Sequence, residues 1–329
     1  MSLLGRNALG LPRGAVFRAA RFDRPTLGIE HTAPFGIGPE HRVLCIGSCF
    51  ARAVGQMLER AGVESTFAGL THRYNPLNIA QTLDWALHGG MTDQHFVELQ
   101  SGRWFDPYDR GALAEGYGDA HEAAAVNAAQ LAELRSECAK ADRVVMTFGL
   151  VEVWRDVREG AWLNQMPPVT TREPFDDRFR LHEASVEECE AAICQSVELI
   201  RSVSPNAKVV MSVSPIALNA TFTGADVLER TTHGKSVLRV AVERAVRSLG
   251  PDVTDYFPSY EIVMWQRGAD AYRERDPRGR PDRQHLRDEF VDRAVRPVFE
   301  RAYLAPAGAP EDVPLPSLGH AASAQDARS

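Results

Sequence analysis

The hydrophobic pattern of this chain alternates between short apolar runs and longer stretches with helical spacing. Four runs have the length of buried strands: Val43–Ile46, Val144–Phe148, Lys208–Val213 and Val253–Tyr256. Apolar residues at three- and four-residue steps predict helices over Cys49–Ala61, Asn78–Leu87, Glu122–Ala139, Val186–Val203, Lys235–Leu249 and Arg287–Tyr303. Continuous apolar strands that alternate with helices predict an α/β fold with a parallel sheet covered on both faces.

The same pattern confines the predicted folded unit to residues 41–304. Residues 1–40 are rich in Gly, Pro and Arg, which predicts an extended arm laid over the domain. Residues 305–329 cannot bury a core, so we expect a disordered tail. Two segments near 88–120 and 155–182 carry tryptophan, tyrosine and proline. We interpret them as insertions that wall the carboxyl edge of the sheet.

Composition narrows the class of protein. The 329 residues are 44% hydrophobic and 25% charged, as in ordinary globular proteins, and the net charge of −7 argues against a nucleic-acid partner. The five cysteines are an odd number without framework spacing, which favours buried, reduced thiols. Neither a signal-peptide pattern nor an apolar run of about 18 residues occurs, so we expect no membrane span and a cytoplasmic location.

The most informative position is Ser48, because the first apolar run stops at Gly47-Ser48 and turns directly into a helical pattern. Such a turn lifts a hydroxyl above the carboxyl edge of the sheet, beside the free N–H groups of a helix N-terminus. Ser48 is therefore a candidate nucleophile, with a helix N-cap as its alternative role. The backbone N–H of Ser48 or Cys49 is a candidate oxyanion donor, and the Cys49 thiol is a weaker candidate nucleophile.

A candidate base lies near the other end of the chain. Asp282-Arg283-Gln284-His285 offers a histidine and, three residues earlier, a carboxylate that could orient it. The alternative is a solvated loop with a helix cap. Neither His72 nor His233 has metal-ligand spacing, and no phosphate-binding glycine loop occurs, so we expect no metal and no cofactor.

Two further candidates follow the second predicted strand. Glu152 could bind a substrate hydroxyl, hold Arg155 or orient a loop, and its alternative is a carboxylate at a helix start. Trp154 could stack on a sugar, although a core position is the commoner fate of tryptophan.

Several strings of this sequence resemble a known family. Gly47-Ser48-Cys49-Phe50-Ala51 and Tyr256-Phe257-Pro258-Ser259-Tyr260-Glu261 are the specific ones. They resemble the GSCFA domain family, which is related to the SGNH (GDSL-like) hydrolases, and the similarity covers roughly 40–300. The resemblance implies a three-layer α/β/α sandwich with a parallel five-strand, flavodoxin-like sheet. It also implies a serine esterase or acyltransferase site linked to polysaccharide modification.

The resemblance also implies roles for individual residues. Ser48 matches the nucleophile of the first SGNH block, and Asp282 and His285 match the last block. Gly149 matches an oxyanion donor, but Gly149-Leu150-Val151-Glu152 lacks the asparagine that usually completes this block. Asn75 is our candidate replacement, with a turn before Pro76 as its alternative role.

The sequence therefore predicts a serine-dependent esterase or O-acyltransferase that acts on a hydroxyl-rich substrate, with an acyl ester or a glycan as its partner. Because the asparagine is missing, the alternative is an inactive, SGNH-like module that binds glycans or serves as a scaffold.

Overall fold

The computed structural model of this protein describes residues 29–68, 72–109, 115–265, 271–276, 278–282 and 285–304, with only the backbone of Cys49. Residues 1–28 of the predicted arm and the predicted tail 305–329 lie outside the described residues. The domain limits at 41 and 304 stay predictions. In the arm, Phe35 and Ile37 are buried in the core.

The strands in the described part of the chain are β1 Arg42–Gly47, β2 Glu64–Thr66, β3 Val97–Glu98, β4 Trp104–Phe105, β5 Arg143–Phe148, β6 Glu152–Asp156, β7 Ala161–Trp162, β8 Phe179–Glu183, β9 Lys208–Val213 and β10 Thr254–Tyr256. The helices are α1 Cys49–Arg60, α2 Pro76–His88, α3 Ala120–Lys140, α4 Phe175–Arg178, α5 Val186–Val203, α6 Val227–Leu249, α7 Ser259–Trp265, α8 Asp288–Phe290 and α9 Arg296–Phe299. Two wider π turns, Val291–Val295 and Glu300–Leu304, continue α8 and α9.

Five strands form one parallel sheet in the order β10-β9-β5-β1-β2, which confirms the predicted fold class. This is the flavodoxin-like order, whose topological switch point lies between the first and third strands of the sheet. Here those strands are β1 and β5. Ligands of such sheets bind at the carboxyl ends of the strands beside the switch point. Ser48 and Gly149 are the residues that immediately follow these two strands.

Alternate residues of the central strands point into two separate cores. Leu44, Ile46 and Met146 pack with helices α2, α3, α5 and α6 on one face. Val43 and Cys45 pack with α1, α7 and the C-terminal helical segment 288–304 on the other. The sheet is thus buried on both sides, which explains why its strands read as continuous apolar runs.

A second, antiparallel sheet lies in the segment 152–183. Its strand order is β7-β6-β8, and β3 pairs with β4 in a separate hairpin. Among the described residues, each helix is too short or too polar to cross a bilayer.

Gly47 is the position where the backbone requires glycine. It ends β1 with φ of +125°, and its register partner in β5 is Thr147. A Cβ at this position would collide with the Thr147 carbonyl oxygen and lie 2.7 Å from Thr147 Oγ1. Only glycine therefore allows the chain to turn towards Ser48 so close to β5.

We expect Gly47→Ala to lower the free energy of unfolding by about 3 kcal/mol or more, because it combines an unfavourable φ with a backbone collision. Gly62→Ala is the matched control, since Gly62 has φ of +78° but no atom within 4 Å of the added Cβ. The control should lose only about 1 kcal/mol. Urea denaturation measures both, and equal losses would contradict the close-approach argument.

Candidate active site

A cavity of about 680 Å³ lies at the carboxyl ends of the central strands. Ser48 after β1, Gly149 after β5 and Ser214 after β9 all line it, together with His285. The 155–182 segment contributes Leu163, Asn164, Gln165, Met166 and Leu181 to the lining. The 88–120 segment contributes no described residue to it.

Ser48 is buried, and its hydroxyl lies in a network of short hydrogen bonds. Its Oγ accepts from Phe50 N at 3.1 Å, which makes Ser48 the N-cap of α1. The same Oγ is 2.9 Å from Thr147 Oγ1, and the Ser48 backbone N–H donates to that Oγ1 at 2.9 Å. Ser48 therefore fills the N-cap role and also lines the cavity.

His285 and Asp282 form the pair that their spacing predicted. His285 Nδ1 lies 3.1 Å from each carboxylate oxygen of Asp282, and the His285 N–H donates to Asp282 Oδ1 at 3.0 Å. The Asp282 side chain is 8% exposed and that of His285 is 41% exposed. The structure thus brings Ser48 and the Asp282–His285 pair to one cavity.

The segment that carries this pair is tied to the loop after β9. Antiparallel bridges join Tyr272 to Leu286 and Arg275 to Pro281. Between them, Arg273 N donates to His285 O at 2.7 Å and Asp282 N donates to Glu274 O at 2.9 Å. The Tyr272 hydroxyl donates to Pro215 O at 2.8 Å. This last bond joins the His285 segment to a loop that itself lines the cavity.

The loop after β5 has its own hydrogen-bond partners, which changes the roles expected for Gly149 and Asn75. The Gly149 and Leu150 N–H groups donate to Tyr74 O at 2.8 and 3.2 Å. Asn75 Nδ2 donates to Leu150 O at 3.2 Å, and Asn75 Oδ1 accepts from Leu77 N as the N-cap of α2. Asn75 is absent from the described residues that line the cavity. Asn75 is thus a helix N-cap rather than the turn residue that we gave as its alternative, and its side chain is bonded on both its oxygen and its nitrogen. These contacts do not support its assignment as an oxyanion donor.

Glu152 begins strand β6 rather than a helix, so the helix-start alternative is wrong. Its Oε1 accepts from Thr221 Oγ1 at 2.6 Å and its Oε2 from Phe222 N at 3.1 Å. The carboxylate therefore holds the loop that carries Phe222 at the cavity, which is the loop-orienting role among those we considered.

Trp154 lies in β6 and lines the cavity. Its ring contacts Phe175 and Phe222 edge-on, with centroids 5.2 and 5.6 Å away. Its indole Nε1 is buried and contacts no acceptor in the described part of the chain. A ligand or water in the cavity could accept that hydrogen bond.

Lys235 is a buried lysine that supports the same loop. It lies in α6, is 2% exposed, and its Nζ donates to Gly149 O at 2.8 Å. The preceding residue, Gly234, lets α6 approach closely, because a Cβ there would lie 3.2 Å from Val151 Cγ2. Burial lowers the pKa of Lys235 to about 7. A titratable amine is therefore fixed directly behind the cavity loop.

Sequence reasoning missed the roles of Thr147, Lys235 and Tyr272. Thr147 was visible as a polar residue inside a buried strand, and Lys235 as a cation in the apolar pattern of α6. Each is a polar residue in an otherwise apolar pattern, so the sequence could have revealed both. The contact of Tyr272 with Pro215 depends on the path of two loops, which the hydrophobic pattern does not predict.

The described cysteines and acidic residues offer neither a reactive thiol nor a metal site. Cys45, Cys138 and Cys189 are buried, and burial raises the pKa of each thiol to about 12. The Cys49 thiol lies outside the described residues. Across the described ranges, no group of three His, Cys, Asp or Glu side chains is placed to hold a metal ion.

The sequence matches the model of the GSCFA family over residues 42–291. This match covers most of the chain and includes Ser48, Asp282 and His285. This chain belongs to the GSCFA family. No protein of curated function matches the sequence.

Two solved structures resemble this GSCFA protein at low identity. A Corynascus thermopiles (Myceliophthora fergusii) carbohydrate esterase family 2 enzyme with a carbohydrate-binding domain is 14% identical over 69% of this chain, with a TM-score of 0.30. The chain spans 58% of the length of that protein. The periplasmic domain of a Salmonella ser. Paratyphi A lipopolysaccharide acetyltransferase is 12% identical over 80% of this chain and 81% of its own, with a TM-score of 0.36.

The buried amine of Lys235 predicts a pH-dependent stability. Its pKa is about 7 in the folded protein and ordinarily near 10.5, so between these values the unfolded chain binds the extra proton. The free energy of unfolding of the wild type should therefore rise relative to Lys235→Met by about 1.4 kcal/mol per pH unit from about pH 7 to 10.

Urea denaturation at several pH values measures this difference. Lys140→Met is the matched control, because the Lys140 side chain is 48% exposed. A difference between wild type and Lys235→Met that stays constant from pH 7 to 10 would contradict the assignment.

Proposed function

We propose that this GSCFA protein is a serine-dependent esterase or O-acyltransferase acting on a hydroxyl-rich substrate of the carbohydrate class. The observation that carries the proposal is that Ser48 and His285 line one cavity while the Asp282 carboxylate contacts His285 Nδ1. A nucleophile, a base and an orienting carboxylate are the parts that acyl transfer needs. The carbohydrate class follows from the family resemblance.

In the proposed reaction, Ser48 Oγ attacks the acyl carbonyl carbon and His285 Nε2 takes the serine proton. The ester bond to the alcohol then breaks, and His285 returns that proton to the leaving oxygen. Water attacks the acyl-serine in a hydrolase, whereas a second hydroxyl attacks it in a transferase. Asp282 orients the ring through Nδ1 and stabilises the imidazolium that forms.

The oxyanion needs donors that are not already bonded. The Ser48 N–H donates to Thr147, and the Gly149 and Leu150 N–H groups donate to Tyr74 O. Cys49 is the first residue of α1, so its N–H belongs to the helix turn that has no intrahelical acceptor. We assign the oxyanion to this N–H, and the positive end of the α1 dipole would strengthen it.

The engaged donors also support a second candidate function. Ser48 Oγ already contacts Phe50 N and Thr147 Oγ1, and the N–H groups of Ser48, Gly149 and Leu150 are bonded within the protein. A protein with these contacts could use the cavity for binding alone. In that case the chain is a glycan-binding module without turnover.

A fluorophosphonate probe separates the two functions. The Ser48 oxygen displaces fluoride from the probe, so we expect wild-type protein to gain the mass of one probe less HF by intact mass spectrometry, and Ser48→Ala to gain none. Turnover of p-nitrophenyl acetate should fall at least 10³-fold in Ser48→Ala, because the nucleophile is lost. Folded wild-type protein with neither adduct nor turnover would favour the binding module. An adduct that persists in Ser48→Ala would implicate another nucleophile.

Asp282→Asn tests the orienting role. The variant keeps the side-chain shape but removes the charge that selects the His285 tautomer, so kcat should fall by about 10²–10⁴-fold with a small change in KM. Asp276→Asn is the matched control, because Asp276 lies in the same loop region and pairs with Arg280. Equal effects of the two substitutions would argue that the loop, rather than the Asp282 charge, matters.

A further inference from the structure

The small antiparallel sheet supplies an apolar wall to the cavity. Trp154 in β6 is the register partner of Leu181 in β8. On its other side, Leu163 donates its backbone N–H to Trp154 O at 2.8 Å. These three residues are therefore neighbours in a row across the sheet, and all three line the cavity.

Phe222 extends this row from a different part of the chain. Its ring meets Trp154 edge-on, with an interplanar angle of 70° and centroids 5.6 Å apart. The side chain is 52% exposed although it is large and apolar. Its backbone N–H is held by Glu152 Oε2 at 3.1 Å, so the ring is fixed beside the cavity. An exposed aromatic that is held in place in this way indicates a binding surface.

The residues of the cavity that carry the proposed chemistry come from other elements than the wall. Ser48 and Ser214 follow the main-sheet strands β1 and β9, and His285 lies in the segment tied to the loop after β9. A substrate whose carbonyl meets Ser48 has the apolar wall available for the part attached to that carbonyl. The cavity of about 680 Å³ is in the range that encloses a drug-sized ligand. An acetyl group, with roughly the volume of two or three water molecules, would fill little of it.

We propose that the wall formed by Leu163, Trp154, Leu181 and Phe222 binds the apolar chain of an extended acyl group. The preferred substrates then carry acyl chains of about six to eight carbons rather than acetyl. This inference deepens the proposed serine chemistry and rests on it for turnover. The acyl chain stays on the wall when its carbonyl passes from the alcohol to Ser48 Oγ, and it leaves as the carboxylic acid after water attacks.

A series of p-nitrophenyl esters tests the wall by turnover. The acetate, butyrate, hexanoate and octanoate are compared after each rate is divided by the rate of the same ester in buffer. For wild type, kcat/KM should rise about fourfold per methylene up to hexanoate, as full burial of each methylene predicts. A flat series, or one that falls after acetate, would overturn the inference and leave the esterase function standing.

Three variants test whether the rise of kcat/KM with chain length depends on the wall. Phe222→Ala should reduce the rise to less than about twofold per methylene, because one face of the chain becomes exposed. Phe222→Leu should keep most of the rise, since it retains an apolar side chain. Leu228→Ala is the control: Leu228 is 71% exposed, lies outside the cavity lining and should match wild type. If kcat/KM of Phe222→Ala rises with chain length as steeply as that of wild type, the assignment of Phe222 to the wall is wrong.

A binding measurement tests the wall without turnover. Isothermal titration calorimetry of folded Ser48→Ala should give at least a tenfold lower Kd for octanoate than for butyrate. Adding Phe222→Ala should remove most of this difference, while circular dichroism stays unchanged. Equal affinity for the two acids, or no binding of octanoate, would overturn the inference whether or not esters are hydrolysed. Octanoate binding by a protein that neither reacts with the probe nor turns over esters would support the wall and contradict the esterase.

Discussion

The site depends on the close approach of β1 to β5 at Gly47. Because Gly47 has no Cβ, the chain can turn beside the Thr147 carbonyl, and the Ser48 N–H then reaches Thr147 Oγ1 at 2.9 Å. The Gly47 carbonyl also accepts from Arg73 N at 3.1 Å. One glycine therefore sets the start of α1, its distance from β5 and the path of the chain before α2. Backbone geometry and the N-cap bond of its own side chain together position Ser48.

The loop 149–152 lies at the carboxyl edge of the sheet and is held in place by hydrogen bonds to its carbonyl groups. Its carbonyl groups accept from Lys235 Nζ, Asn75 Nδ2 and the Ala184 N–H at 2.8, 3.2 and 2.9 Å. Burying an amine costs free energy that its hydrogen bond only partly offsets. Such costs are common where a site must be held in one geometry. The Gly149 and Leu150 N–H groups of this loop are also engaged, because both donate to Tyr74 O.

Most of the main sheet and its helices could be predicted from the sequence, because its strands are apolar runs and its helices are periodic. Lys208–Val213 and Val186–Val203 have the predicted bounds. β2 was missed, since Glu64–Thr66 is short and polar, and α6 begins at Val227, ahead of the predicted Lys235, because its exposed first turns lack an apolar stripe. Ser48, Asp282 and His285 were predicted from local patterns, and the structure places Ser48 and His285 at one cavity. Gly149 was assigned from the family resemblance and Asn75 from its predicted loop, and hydrogen bonds give both of them other partners.

The two residues proposed as nucleophile and base, Ser48 and His285, lie near opposite ends of the described chain. Ser48 belongs to the first strand unit, whereas His285 lies in a segment that follows the last strand and is joined to the β9 loop by the Tyr272 hydroxyl. Segments outside a sheet can detach at a lower free energy than the sheet itself unfolds. The chemistry proposed above therefore requires more than a folded sheet. The segment that carries His285 must also stay docked, through the Tyr272 hydroxyl and the buried side chains of Ala271 and Leu286.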